Sequence, residues 1–144
     1  MKKLFLAMMA VMNVCLCACA TEQVINIEQL PAEAQTLLKT HFAGDSVAYV
    51  MQEKEGLYTE YEVKLANGSK IEFDSKGALK KVDCGTRPVP AGLVPEAVHA
   101  YIKTKFPKAF ISEWGKDDNR WKAELNNGLE LEFNNKYKFL RIDN

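Results

Sequence analysis

The stretch YTEYEVKLANGSKIEFDSKGALKKVD, residues 58–83, decides how the rest of the chain is read. It alternates apolar and polar residues, turns at Asn67-Gly68, alternates again and turns once more near Gly77. Tyr61, Val63 and Leu65 fall on one side of the first run and Glu60, Glu62 and Lys64 on the other. The second run sets Ile71 and Phe73 against Lys70, Glu72 and Asp74, and Leu79–Asp83 makes a short third strand. Asn-Gly between alternating runs signals a two-residue type I′ hairpin, whose central residues both need positive φ. Positive φ is therefore expected at Asn67 and Gly68, and again at Asn127 and Gly128, where the pattern returns between Arg120 and Asp143.

The segments before these meanders also correspond. Leu30, Ala34, Leu37, Leu38 and Phe42 lie on one face of a helix, as do Val94, Val98, Tyr101, Ile102 and Phe106. Pro31 and Pro95 suit the first helical turn, and Gly44 suits a stop after the first helix. At an offset of 64, Pro31, Lys39, Thr40 and Phe42 match Pro95, Lys103, Thr104 and Phe106. At an offset of 60, Leu65, Asn67, Gly68, Glu72, Phe73, Lys76 and Asp83 match Leu125, Asn127, Gly128, Glu132, Phe133, Lys136 and Asp143. Gly77 is replaced by Tyr137, so the last turn is expected to place positive φ at Asn135 instead. Strands over 47–53 and 110–114 precede the meanders, their inward residues left open by ambiguous alternation. The expected fold is α+β: two tandem helix-plus-four-strand repeats, about 27–83 and 94–143. They form one eight-stranded antiparallel sheet with both helices on one face. The proline- and glycine-rich segment 84–92 connects them.

Lys2-Lys3, the uncharged apolar run from Leu4 to Ala20 and the polar residues after it read as a signal peptide over 1–20, leaving one domain over 21–144. Two processing routes stay open. Ala18-Cys19-Ala20 is an Ala-x-Ala cleavage site, whereas Leu16-Cys17-Ala18-Cys19 resembles a lipobox with Cys19 as the lipidated residue. The expected location is the periplasm of a Gram-negative bacterium, either free or tethered by a lipid, with no transmembrane span after processing. Of 19 basic and 19 acidic residues, losing Lys2 and Lys3 leaves 17 and 19, a formal charge of −2. That near-balance gives no basic field for nucleic acid. Three of the four cysteines lie in the leader, so Cys84 has no disulfide partner and reads as a buried strand-end thiol.

No chemistry-bearing set emerges. His41 and His99 sit at non-equivalent helix positions without zinc-ligand spacing, no serine lies in a Gly-x-Ser-x-Gly elbow, and no glycine-rich phosphate loop is present. No catalytic residue, metal or cofactor is assigned. The glutamates and lysines of the meanders read as cross-strand charge pairs on a solvated sheet face. That face is the candidate partner-binding surface, with Tyr58, Glu60, Glu62, Lys64 and Glu72 from the first unit and Arg120, Lys122, Glu124, Glu130 and Glu132 from the second. Because Glu60 and Glu62 become Arg120 and Lys122 while Lys64 becomes Glu124, an acidic and a basic patch are expected side by side. Tyr49 and Trp114 are candidate aromatic anchors.

The Leu-Pro helix opening, the YEVKLANGSKIEFD run with Gly77 behind it, and the second copy resemble the PepSY-like periplasmic proteins of gut Bacteroidetes. Those are grouped with the β-lactamase-inhibitor-protein-like fold. The resemblance covers about residues 27–143 and rests on turn and core positions. It implies tandem helix-plus-four-strand units, an envelope location and a role in binding or inhibiting other proteins, and it brings no catalytic residue with it. The β-lactamase inhibitors proper place aromatics on the sheet face where this sequence has Glu and Lys. The expected function is a non-enzymatic exported binding module of protein- or peptidase-inhibitor type. It would grip another envelope or extracellular protein through the open sheet face. The rival reading is a binder of a small molecule or cell-wall fragment in a crevice between the repeats near 84–92.

Overall fold

A computed structural model describes residues 19–143. The signal-peptide reading of 1–20 therefore falls, up to residue 18, outside the described residues. Nine strands and two helices follow in chain order. They are β1 (Thr21–Ile25), α1 (Ala32–His41), β2 (Val47–Glu55), β3 (Tyr58–Leu65), β4 (Lys70–Phe73) and β5 (Leu79–Asp83), then α2 (Glu96–Lys105), β6 (Ile111–Asp117), β7 (Arg120–Leu125), β8 (Glu130–Phe133) and β9 (Phe139–Asp143). The strands form one open antiparallel sheet in the order β1 to β9, so each pairs with its neighbour in the chain. Among the described residues no helix is long and apolar enough to cross a membrane.

Register explains why one side of this sheet is dry. Ile25, Val50, Val63, Ile71, Val82, Trp114, Ala123, Leu131 and Ile142 stand directly opposite one another across all nine strands. Side chains of paired residues share a face, so this row and those flanking it make a continuous apolar surface. Leu30, Ala34, Leu38 and Phe42 around α1 and Val94, Val98 and Ile102 around α2 pack into the same core cluster. Both helices therefore cover one face, in the spacing the sequence shows. Phe73 and Phe133, at matching positions of β4 and β8, are fully buried. Truncating either to alanine should cost about 3–5 kcal/mol.

Four expectations need correction. The sheet has nine strands, not eight, because the lead containing Val24 and Ile25 forms β1 against β2. It is too short to show an alternation, and pairing with an otherwise open strand edge makes it a strand. The Asn-Gly hairpins are not type I′. Gly68 N–H donates to Leu65 C=O (3.0 Å) and Leu65 N–H to Ser69 C=O (2.9 Å), the three-residue loop of a type I turn closed by a left-handed residue. Positive φ falls on Gly68 (94°) and Gly128 (85°) and not on Asn67 or Asn127. The asparagines serve by accepting from the loop, Asn67 Oδ1 from Ser69 N–H (2.9 Å) and Asn127 Oδ1 from Leu129 N–H (3.1 Å).

The turns after β4 and β8 have the same form, with Gly77 at φ 89° and Tyr137 itself at φ 60°. Asn135 was expected to take the left-handed position. Asn134 explains why it does not, since its side chain accepts from Lys136 and Lys138 N–H as Asp74 accepts from Lys76 and Ala78 N–H, fixing the loop frame one residue later. Finally, the strands before the meanders are longer than read. Lys116 and Asp117 belong to β6, and the turns are Gly56-Leu57 and Asp118-Asn119.

The segment 84–92 is no loose tether. Cys84 N–H donates to Ser112 C=O (2.9 Å), Val89 N–H to Ile111 C=O (2.8 Å), and Arg87 Nη2 to Ser69 Oγ (2.7 Å). Cys84 and Val89 are buried beneath it.

Candidate partner-binding surface

The face away from the helices carries the charges. One of its rows runs Val24, Met51, Glu62, Glu72, Lys81, Gly115, Lys122, Glu132, Arg141. Beside it run Tyr49, Lys64, Lys70, Asp83, Glu113, Glu124, Glu130 and Asp143. All ten residues assigned to the partner-binding face thus belong to one surface. Most are half-buried because neighbours on a pleated sheet shade one another, while Tyr58 (78% exposed) and Arg120 stand clear.

The two halves of this surface differ, though not as an acidic patch beside a basic one. On this face of β7 to β9 the three cations Arg120, Lys122 and Arg141 are all paired. Glu132, only 2% exposed, accepts from Arg120 Nη1 (2.8 Å) and from Arg141 Nη2 (3.2 Å), and Arg141 Nε stands 2.9 Å from its Oε2 in an ion pair. Burial pushes the Glu132 pKa up, but the hydrogen bonds from Arg141 and Arg120 outweigh it and hold the carboxyl below its ordinary value. Lys122 reaches Glu130 (2.8 Å), Asp117 (3.5 Å) and Asp143 (3.8 Å), and the Glu130 hydrogen bond leads in raising its pKa.

Around β1 to β4 the balance is negative. A hollow is lined by Glu22, Glu53, Glu60, Glu62 and Glu72 with Met51 and Tyr61. Two lysines answer these five carboxylates: Lys70 with Glu72 (3.0 Å) and Glu62 (3.8 Å), and Lys80 with Glu60. Tyr49, 38% exposed, hydrogen-bonds Glu62 Oε1 (3.3 Å) at the border. Among the described residues Glu22, Glu53, Lys64 and Glu124 make no ion pair. At the seam, Gly115 lets Lys81 lie flat across the sheet to Glu113 (2.7 Å), since a Cβ there would come within 3.0 Å of Lys81 Cγ.

Trp114 does not stand on this face. It is 1% exposed in the core row between Val82 and Ala123, stacked on Trp121 at 5.0 Å. The reason is a bulge at Ser112, between Ile111 and Glu113, which shifts the alternation by one residue. A bulge at Ala48 does the same in β2 and turns Tyr49, Met51 and Glu53 to the charged side. Sequence reasoning missed Glu53 for that reason and Glu22 because β1 was not recognised. A cross-strand count from Glu60 through the hairpin would have found Glu53.

A second concavity lies on the helix side. A cleft of about 580 Å³ is lined by Thr36, His41 and Gly92 and backed by Trp121 and Tyr137, whose rings are 5.9 Å apart. Cys84 is not part of it, and burial raises its thiol pKa.

Residues 59–141 match the model of the family described as "Putative beta-lactamase-inhibitor-like, PepSY-like". Three solved structures from Bacteroides share the architecture. One, a candidate calcium-regulated periplasmic protein of Bacteroides thetaiotaomicron, is 36% identical with a TM-score of 0.82, over 85% of this chain and 97% of that one. A DUF2874-family periplasmic protein of Bacteroides vulgatus has the same identity, TM-score and coverage. Another periplasmic protein of Bacteroides vulgatus is 31% identical with a TM-score of 0.81, over 86% of this chain and 100% of that one. No curated protein matches the sequence at a significant level.

Proposed function

Because this chain belongs to the PepSY-like family, whose solved members are periplasmic proteins, we propose that it is an exported, non-enzymatic binding module. It grips a protein or peptide through the open sheet face, in the manner of an inhibitor of an envelope or extracellular protein. The observation that carries this is one continuous charged face on which carboxylates outnumber the cations that answer them. In its first half five of them line a hollow answered by two lysines and flanked by the exposed Tyr49 and Tyr58. A partner offering lysine or arginine side chains complements that half, and the tyrosines supply the buried contact area. The domain itself is read as two repeats, about 27–83 and 94–143, following a leader over 1–20. Supporting this are bulges 64 residues apart, at Ala48 and Ser112, and identical hairpin forms at 65–69 and 125–129.

Calcium regulation is attributed to the Bacteroides thetaiotaomicron relative alone and is not carried over to this chain. A second reading is favoured by the helix-side cleft: a small molecule or cell-wall fragment seated against Trp121 and Tyr137.

The experiment is capture of envelope proteins on the mature domain, followed by binding kinetics at two salt concentrations. Reversing Glu60 and Glu62 to Lys should slow association, and the more so at low salt. Tyr58→Ala should mainly speed dissociation, weakening binding by about 1–3 kcal/mol. Wild-type kinetics in both folded variants would reduce the face to a solvated surface. Recovery of a small molecule displaced by Trp121→Ala would move the function to the cleft.

A further inference from the structure

The β2–β3 hairpin is longer than its counterpart β6–β7. Its strands have 9 and 8 residues against 7 and 6, two residue pairs more. At about 3.4 Å per residue its tip stands about 7 Å further out. The turn residues there are Gly56 and Leu57, where the shorter hairpin has Asp118 and Asn119. Asp and Asn are ordinary turn residues, and leucine is not. Leu57 is 101% exposed, so the fold makes no use of its side chain.

The start of the domain lies at the same corner. Thr21 pairs with Lys54 and the strands are antiparallel, so the chain before Thr21 runs out past Lys54 toward Glu55 and the tip. Cys19, exposed and two residues before Thr21, emerges within about 7 Å of that strand end. The apolar leader thus ends where the longest hairpin presents its one wholly exposed leucine.

We propose that Leu57 is a bilayer-contacting prong, acting beside an acyl chain carried on Cys19 and setting the domain upright on the membrane. The anchor forms by chemistry of the lipobox kind. Cys19 Sγ displaces the phosphate of a glycerophospholipid donor from its glyceryl carbon, the S–C bond forming as the C–O bond breaks. The thiol proton leaves with the phosphate-bearing headgroup, and water then hydrolyses the Ala18–Cys19 peptide bond. An acyl chain holds the protein at the surface, and a second contact fixes its angle. The surroundings select the lipid. Glu22, Glu53, Glu55 and Glu60 flank the tip against the single Lys54, so the contact is apolar and suits a surface of neutral headgroups. Tyr58 stands at the border between tip and charged face, so the test uses Leu57 alone.

The full chain with its leader is expressed in a Gram-negative host and recovered from the membrane. It is then reconstituted into vesicles of phosphatidylethanolamine and phosphatidylcholine. An environment-sensitive fluorophore is placed at Leu57→Cys, with Asp118→Cys as the control tip, Cys84 being buried. The expected result is a blue shift at position 57 and quenching by lipid-borne quenchers several-fold stronger than at 118. Both should decline as phosphatidylglycerol replaces the neutral lipids. A probe at 57 as water-exposed as that at 118 overturns the proposal. So does a mature chain that begins at Thr21 and is recovered in the soluble fraction. A protein held on the sheet face would give neither probe a lipid-quenched signal, so this result is separate from the binding function.

Discussion

Gly77→Ala should be the most damaging small substitution at any turn of this sheet, and the structure says by how much. Two terms combine. At φ 89° an alanine sits in left-handed backbone, which costs about 1–2 kcal/mol. The added Cβ would also lie 2.8 Å from Pro31 Cβ and 2.9 Å from the Ala34 backbone nitrogen, because the first turn of α1 rests on this loop. Backbone cannot swing aside as a flexible side chain can, and overpacking of this kind costs about 1–3 kcal/mol. The sum is about 2–5 kcal/mol, a large share of the 5–15 kcal/mol of a typical domain. Gly68 and Gly128 have nearly the same φ with no atom within 4 Å of the added Cβ. Their alanine variants isolate the backbone term, about 1–2 kcal/mol. Urea titration of the mature domain, followed by Trp114 and Trp121 emission, measures all three. At about 4 °C per kcal/mol the corresponding shifts in thermal melting are roughly 8–20 °C and 4–8 °C. If Gly77→Ala is no worse than Gly68→Ala, α1 is not seated on that turn and the packing described here is wrong.

Glu132→Gln should destabilise the domain at neutral pH by leaving Arg120 and Arg141 without a counter-charge. It should also flatten the acid limb of stability. The folded-state pKa of Glu132 lies below its ordinary 4.5, so its contribution is present above about that pH and is lost as pH falls through the folded value. Equilibrium unfolding from pH 7 to pH 3 tests this, and an acid limb unchanged by the substitution refutes it. Cys84, buried with a raised pKa, should resist a thiol reagent at pH 8 in native protein and react only on unfolding. Rapid native modification would contradict the packing of 84–92.

How much of this was legible depends on where periodicity survives. The helix faces read directly from Ala34 and Leu38, or Val98 and Ile102, because a 3.6-residue spacing is undisturbed over ten residues. Alternation was equally plain in β3, β4, β7 and β8. It was ambiguous in β2 and β6 because a single bulged residue, Ala48 or Ser112, reverses every side chain after it, which is how Trp114 came to be a candidate anchor. The Asn-Gly pairs marked the right turns for the wrong reason, since the side-chain acceptor mattered more than left-handed φ. Tyr137 shows why no residue rule could locate the last positive φ. Its ring packs near Trp114 and Trp121, at 6.5 and 5.9 Å, contacts that exist only after folding. The surplus charge at Glu22 and Glu53 was hidden likewise, because it arises from lateral neighbours 31 residues apart.

The serial strand order bears on how the domain reaches its native state after export. Every strand finds its partner next in the chain, and only the β1–β2 and β5–β6 pairings must wait for an intervening helix. Loops are short, so little chain entropy is lost before each contact forms, and relative contact order stays low for a sheet protein. Such a chain can zip hairpin by hairpin as it emerges, exposing few unpaired edges for long. Nor does it wait on thiol oxidation, because Cys84 stays reduced within the core. Rapid, oxidant-independent folding in the envelope is the kinetic consequence of this topology.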